Sequence, residues 1–261
     1  MWNELKILQE KYLDLHLDQV IDYEKFSMIS IVYNSTKIEG CSFSETDTRL
    51  LLENDITAHG KPLTDHLMVK DHFAAFKYIK KVAELKSSIT VALIQEIAAL
   101  VMKNTGGSIN TISGNFDTSK GDLRKAQVLV EKKYFPDFKK VKSLMDKLIH
   151  FVNGKLGKVE DEEVLMLAAD LHYNLVNIHP FGDGNGRVSR LMMNYVQMYH
   201  NKPLIKIFTE DRAEYIDALI LTEEKEDLSI FRDFICRQQI KFYKNEIEKF
   251  NSKDKNFVFL F

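Results

Sequence analysis

His179-Pro180-Phe181-Gly182-Asp183-Gly184-Asn185-Gly186-Arg187-Val188-Ser189-Arg190 separates two helical patterns. Before it, Glu160–Ile178 reads as a buried helix with Leu165, Ala168, Ala169, Leu171 and Leu175 apolar. Proline disfavours helical backbone at the residue before it, so Pro180 should end that helix close to Ile178 and leave His179 outside it. After the stretch, Val188, Leu191, Met192 and Tyr195 restart a helical period. The segment is a tight connection between two helices, and it carries more chemistry than a turn needs.

Glycines at 182, 184 and 186 let the backbone come close to a ligand. The N–H groups of Asn185 and Gly186 open the second helix, where they lack partners within the helix and the helix dipole adds positive potential. Such a nest suits an anion, phosphate above all. Arg187 and Arg190 are three apart and share a helix face, and guanidinium groups grip phosphate oxygens in two-point contacts. Asp183, the loop's only carboxylate, makes best sense beside those donors as a Mg²⁺ ligand. His179 is the one loop group that accepts a proton near neutral pH. The loop therefore points to phosphoryl or nucleotidyl transfer with a histidine base. A bare turn accounts for each residue singly but not for the set. A calcium loop beginning Asp183-x-Asn185 fails, because Val188 stands where Gly is needed and Asn194 where Glu is needed. A Walker loop is excluded, since the chain has no Gly-Lys-Ser/Thr.

Outward from the loop most of the chain reads at helical period. Leu5, Leu8, Tyr12 and Leu15 start one apolar face, and Phe26, Ile29, Val32 and Tyr33 a second. Ser44 with Asp47 reads as a capping box ahead of Arg49–Asn54. Phe73, Phe76 and Val82 mark a long helix; Leu93, Ile97 and Leu100 mark another, stopped near Gly106-Gly107. Pro136 is expected to open a helix that Gly154 closes, with Val141, Leu144, Leu148 and Phe151 inward. Further helices are predicted over 187–200, 211–224 and 228–251. Within 106–134, Gln127-Val128-Leu129-Val130 reads as a strand or hairpin. The expected fold is an all-α bundle with a small β-hairpin flap. It divides into N-terminal helices over 1–105, a core over 106–240, and a helix end with the apolar tail Phe257–Phe261 over 241–261.

The chain has 261 residues, 45% hydrophobic and 28% charged, an ordinary globular balance. A formal net charge of −2 with no Lys/Arg block argues against direct nucleic-acid binding. Cys41 and Cys236 fit no metal-ligand spacing, and free thiols in a reducing compartment are expected. The N-terminus lacks the apolar centre of a signal peptide and no stretch reaches membrane-span length, so a soluble cytoplasmic protein is expected.

HPFGDGNGRVSR matches the Fic-family signature HPFx(D/E)GNGRxxR at every specified position, and the chain resembles that family from about residue 30 to 240. The resemblance implies a protein adenylyltransferase that moves AMP from ATP, with Mg²⁺, onto a hydroxyl of a target protein, the chain itself among the candidates. A second copy of the chain is kept as a candidate partner. By matching position, His179 resembles the base and Asp183 the Mg²⁺ ligand. Asn185 with the Gly184 and Gly186 backbone resembles the α- and β-phosphate cradle. Arg187 and Arg190 resemble the β- and γ-phosphate contacts. Arg212-Ala213-Glu214-Tyr215-Ile216 resembles the segment lining the adenine pocket, with Tyr215 as the stacking residue. Ile216 stands where relatives often carry a second aromatic, and Glu223 where some have Asn. Gly121-Asp122-Leu123-Arg124 followed by Val128, Leu129, Val130 and Glu131 looks like the family's target-docking flap.

Upstream, Ser35-Thr36-Lys37-Ile38-Glu39-Gly40 matches the family's inhibitory motif (S/T)xxxE(G/N), on a helix expected over about 24–39. Gly40 suits a helix C-terminus, which puts Glu39 against the negative end of the helix dipole. A charge so placed points to a specific partner, and Arg190 is the expected one. Three other readings stay beside adenylyl transfer: a hydrolase removing AMP, with Glu39 catalytic; a nucleotide-sensing module without turnover; and a phosphotransferase using the same loop.

Overall fold

The computed structural model describes residues 1–130 and 133–255. Its centre is a helical hairpin, α7 (Glu162–Ile178) followed by α8 (Asn185–Tyr199). Both helices are buried on most faces, as helices apolar nearly all round must be. Val164, Ala168 and Leu171 of α7 and Val188, Met192, Tyr195 and Val196 of α8 lie in the core. Each large apolar side chain buried here stabilises the fold by about 1.5–3 kcal/mol.

The other helices surround this pair. α4 (Leu63–Glu84) and α5 (Val91–Val101) pack on each other and on α8. α6 (Phe138–Lys155) and α10 (Leu228–Lys255) lie against α7, and α9 (Arg212–Lys225) lies on α10. α1 (Trp2–Leu13) also packs on α10, while α2 (Tyr23–Ile38) rests on α4 and reaches α8, with α3 (Glu45–Asn54) beside it. Buried apolar residues from Leu5 to Tyr243 make one cluster, so the chain's two ends share the central core. Helix α10 runs unbroken through the boundary expected at 240. Among the described residues no helix is long and apolar enough to cross a membrane.

Several local expectations need correction. The Ser44–Asp47 capping box forms, but α3 starts at Glu45, ahead of Arg49. Pro136 precedes α6 and does not begin it, because Asp137 caps that helix by accepting from Lys139 N. Gly154 is helical, and the left-handed residue beyond α6 is Gly157, at φ 77°. Phe151 and Phe26 are exposed; Met145 and Val152 take the inward places in α6. Leu15 lies beyond α1.

Among the described residues there are two antiparallel strand pairs, where the sequence predicts one hairpin. β1 (Ser108–Thr111) pairs antiparallel with β2 (Gly114–Asp117), and β3 (Leu129–Val130) with β4 (Lys133–Tyr134). The first has the polar composition of a loop and a largely exposed surface, so no alternation betrays it. In the second, Gln127 and Val128 stand before the strand, and Val128 accepts a bond from Phe135 N across the hairpin base. Glu131 and the Phe257–Phe261 tail lie outside the described residues.

Candidate active site

α7 ends at Ile178 as Pro180 requires. His179 then turns left-handed, φ 51° and ψ 59°, instead of adopting the extended backbone usual before proline. A non-glycine residue there is strained and must be held by its surroundings. Its ring lies 3.9 Å from that of Phe135, centroid to centroid. Phe181 plugs into the core. Asn185 closes the loop: its Oδ1 accepts from Phe181 N at 3.0 Å and its Nδ2 donates to Phe181 O at 2.9 Å. Both ends of the Asn185 side-chain amide thus bond the loop's own backbone and hold its turn.

Gly184 caps α8 at φ 79°. Arg187 is buried; it donates to Val101 O at 3.4 Å, and its Nη2 lies 3.0 Å from Met102 Sδ. The Nε of Arg187 and the Nη1 of Arg190 are buried without an acceptor. Buried donors of this kind are costly unless something fills them, and both belong to the loop's anion nest. Asp183 is 68% exposed at the mouth of the nest, 3.8 Å from Arg187 Nη2. Among the described residues no group of three or more His, Cys, Asp or Glu gathers to hold a metal. One open carboxylate suits Mg²⁺ that is held mainly by phosphates and water.

Arg190 is 4% exposed and fully engaged on one edge by α2. Its Nε donates to Ser35 Oγ at 2.8 Å, and its Nη2 to Ser35 O at 2.9 Å and to Glu39 Oε1 at 2.6 Å. Glu39 follows α2 as its cap residue and Gly40 turns left-handed at φ 95°. Burial pushes the Glu39 carboxyl up, but Arg190, then Arg187 and Arg212, outweigh it and hold it below the usual range. Burial likewise pushes the Arg190 guanidinium down, and Glu39 reverses the shift. The carboxylate sits directly over the nest. A Cβ on Gly186 would fall 2.5 Å from Glu39 Oε1 and 3.1 Å from Arg190 Nη1.

Tyr215 is buried with its hydroxyl 3.2 Å from His172 Nε2, so its ring is covered and not open to an adenine. Ile216 is partly buried against the core. Glu223 pairs with Lys133 at 2.6 Å, next to the β3–β4 hairpin. Leu129 is exposed on that hairpin. Two further arginines brace the backbone around the loop. Arg212 Nε donates to Ile38 O at 2.8 Å and secures the last turn of α2. Arg124 is buried beneath His179. Both lie in segments already singled out, yet neither stands at a patterned position.

Burial is the first cause that lowers His72, His172, His179 and His200. His179 is lowered to about 4, chiefly by burial, with Arg124 and Lys133 adding to the effect and the Val176 carbonyl and Asp183 opposing it. His72 and His172 lie well below the ordinary value for the same first reason, with Arg190 beside both. An unfolded histidine takes up its proton near pH ~6.5. Below that pH the unfolded chain binds more protons, so stability present above about 6.5 is lost as pH falls toward the folded-state values. The urea midpoint should therefore be lower at pH 5.5 than at pH 7.5, and less so in His172→Phe. Equal midpoints at the two pH values would contradict the assignment.

A helical hairpin whose connecting loop gathers backbone amides and two buried arginines, with a histidine at one end and a carboxylate at its mouth, is suited to an anionic ligand. Residues 88–197 match the Fic/DOC family model. The "Protein adenylyltransferase Fic" of Aedes aegypti is 34% identical over 214 residues, 82% of this chain and 40% of that protein. Its counterpart in Culex quinquefasciatus is 33% identical over the same shares. The chain thus spans about two fifths of the length of these relatives. A Fic domain containing signaling protein from Bacteroides thetaiotaomicron shares the fold at TM-score 0.79 and 24% identity, over 95% of this chain and 98% of that one. The chain carries a domain of the Fic/DOC family.

Proposed function

We propose that the chain is a protein adenylyltransferase that uses ATP with Mg²⁺ and is restrained by its own Glu39. The observation that carries this reading is the Glu39–Arg190 pair seated over Gly186, where the nest would otherwise take phosphate. In the transfer, the target's hydroxyl oxygen bonds to the α-phosphorus of ATP while the bond from that phosphorus to the bridging oxygen breaks. Pyrophosphate leaves and the hydroxyl proton passes to the His179 ring. A ring lowered to about 4 is neutral, and so ready to accept, at physiological pH. Bound Mg²⁺, held by Asp183 and phosphate oxygens, would offset charge on the departing pyrophosphate. Arg187 and the α8 amides bind and orient the phosphates. The exposed β3–β4 hairpin, with Leu129 outward, supports docking of an extended target segment by strand addition. Tyr134 on the same hairpin, an exposed hydroxyl, is a candidate for self-modification.

A hydrolase reading has one observation in its favour: Glu39 is 35% exposed beside the nest and could orient a water. The deciding experiment gives the Glu39→Gly chain ATP labelled at the α- or at the γ-phosphate. Retention of the α label alone on protein is expected. Retention of γ alone would make the chain a phosphotransferase, and retention of neither would remove the transferase reading.

A further inference from the structure

Arg124 is 2% exposed, and burial pushes its guanidinium down while the Asp137 carboxylate acts on it in the opposite direction. Its hydrogen bonds go to carbonyls. Nε donates to His179 O at 2.7 Å, Nη1 to Ala126 O at 2.8 Å, and Nη2 to Pro136 O at 2.5 Å with a longer reach of 3.5 Å to Ile178 O. Its own N–H donates to Pro180 O at 2.9 Å. These acceptors fall into two groups. Ile178, His179 and Pro180 are the end of α7 and the start of the nest loop. Ala126 and Pro136 are the two feet of the β3–β4 hairpin, which Gln127 Nε2 also links by donating to Phe135 O at 2.5 Å.

The carbonyls that end a helix have no partner within it and form the negative end of its dipole, so a cation belongs there. A planar guanidinium can reach acceptors in several fixed directions at once; an ammonium cannot. His179 holds a left-handed backbone at φ 51°, directly before a proline that favours extended backbone there. We infer that Arg124 is the positioning residue for His179: it fixes the strained backbone that aims the imidazole, and by the same fork ties that histidine to both feet of the target-docking hairpin. A target seated on the hairpin and the base that deprotonates it then share one rigid joint. Phe135, on which the His179 ring lies, is part of that joint, since it follows β4 directly.

This rests on the transfer reading above, so the test has one arm that needs no turnover. In protein labelled on histidine, the ring resonance of His179 is assigned by its absence in His179→Ala. Arg124→Lys should shift or broaden that resonance while those of the buried His72 and His172 stay in place. In the Glu39→Gly background the same change should slow AMP transfer per folded molecule by ~10-fold or more with ATP affinity held within about threefold. Arg124→Gln serves as the second variant. An unmoved His179 resonance, a transfer rate equal to that of the parent, or joint displacement of all three histidines would overturn the assignment. So would failure of both variants to fold, which would make Arg124 a stability residue alone. If Glu39→Gly transfers no AMP at all, the transferase reading falls, and the histidine spectrum still decides the role of Arg124.

Discussion

Glu39→Gly should raise AMP incorporation by roughly 10²-fold or more, the scale of one well-placed charge donor restored to a transition state. Arg190 is the donor. In the resting chain its Nη2 is taken by Glu39 and Ser35, and its Nε by Ser35. Removing the carboxylate frees the edge of the guanidinium that faces the nest and clears the space above Gly186. The γ-phosphate can then be held, and the α-phosphorus presented to His179. The double variant with Arg190→Ala should fall back to the wild-type level, because the arginine is what the release delivers. The change also strips a buried guanidinium of its counter-charge. Breaking a wholly buried pair costs about 3–5 kcal/mol; Glu39 is 35% exposed, so the cost here is smaller. Rates should be normalised to folded protein. Intact mass after incubation with MgATP, across wild type, both single variants and the double, makes the comparison. A silent Glu39→Gly, with Glu39 needed to strip AMP from a modified protein, would hand the site to the hydrolase reading.

His179→Ala in the Glu39→Gly background should lower transfer by about 10²–10⁴-fold, the range for loss of a positioned general base. ATP affinity should hardly change, since the α8 amides, Arg187 and Arg190 all remain. The fold should also persist. His179 contributes a ring face to Phe135 and a backbone carbonyl to Arg124, and alanine keeps the second. Labelled AMP that still accumulates at the parent rate would remove His179 from the chemistry.

The loop from His179 to Arg190 was legible because its chemistry is local: glycines, a helix start and charged side chains follow one another, and each has a role that sequence distance alone suggests. The same holds for the Ser44 capping box. Contacts that cross the chain were harder. Glu39 was paired with Arg190 only through a family resemblance, since no periodicity connects residues that far apart. Arg124 and Arg212 went unassigned because each bonds to main-chain carbonyls, which carry no mark in the sequence. Tyr215 was expected against a nucleotide base, yet its hydroxyl finds His172 and its ring stays covered. The β1–β2 hairpin was missed for a different reason. It buries little apolar surface except Phe116, so the alternation that reveals a strand is absent.

Gly186 has two masters. On the proposed reading phosphate uses the bare backbone at the start of α8, and the Glu39 carboxylate occupies the same space, where a methyl group on Gly186 would meet it at 2.5 Å. Any mutation at this position that evicted the brake would also roughen the seat for ATP. On the proposed reading, restraint is then relieved from the α2 side, through Ser35 or Glu39, and a change at Gly186 would free the site only by spoiling it.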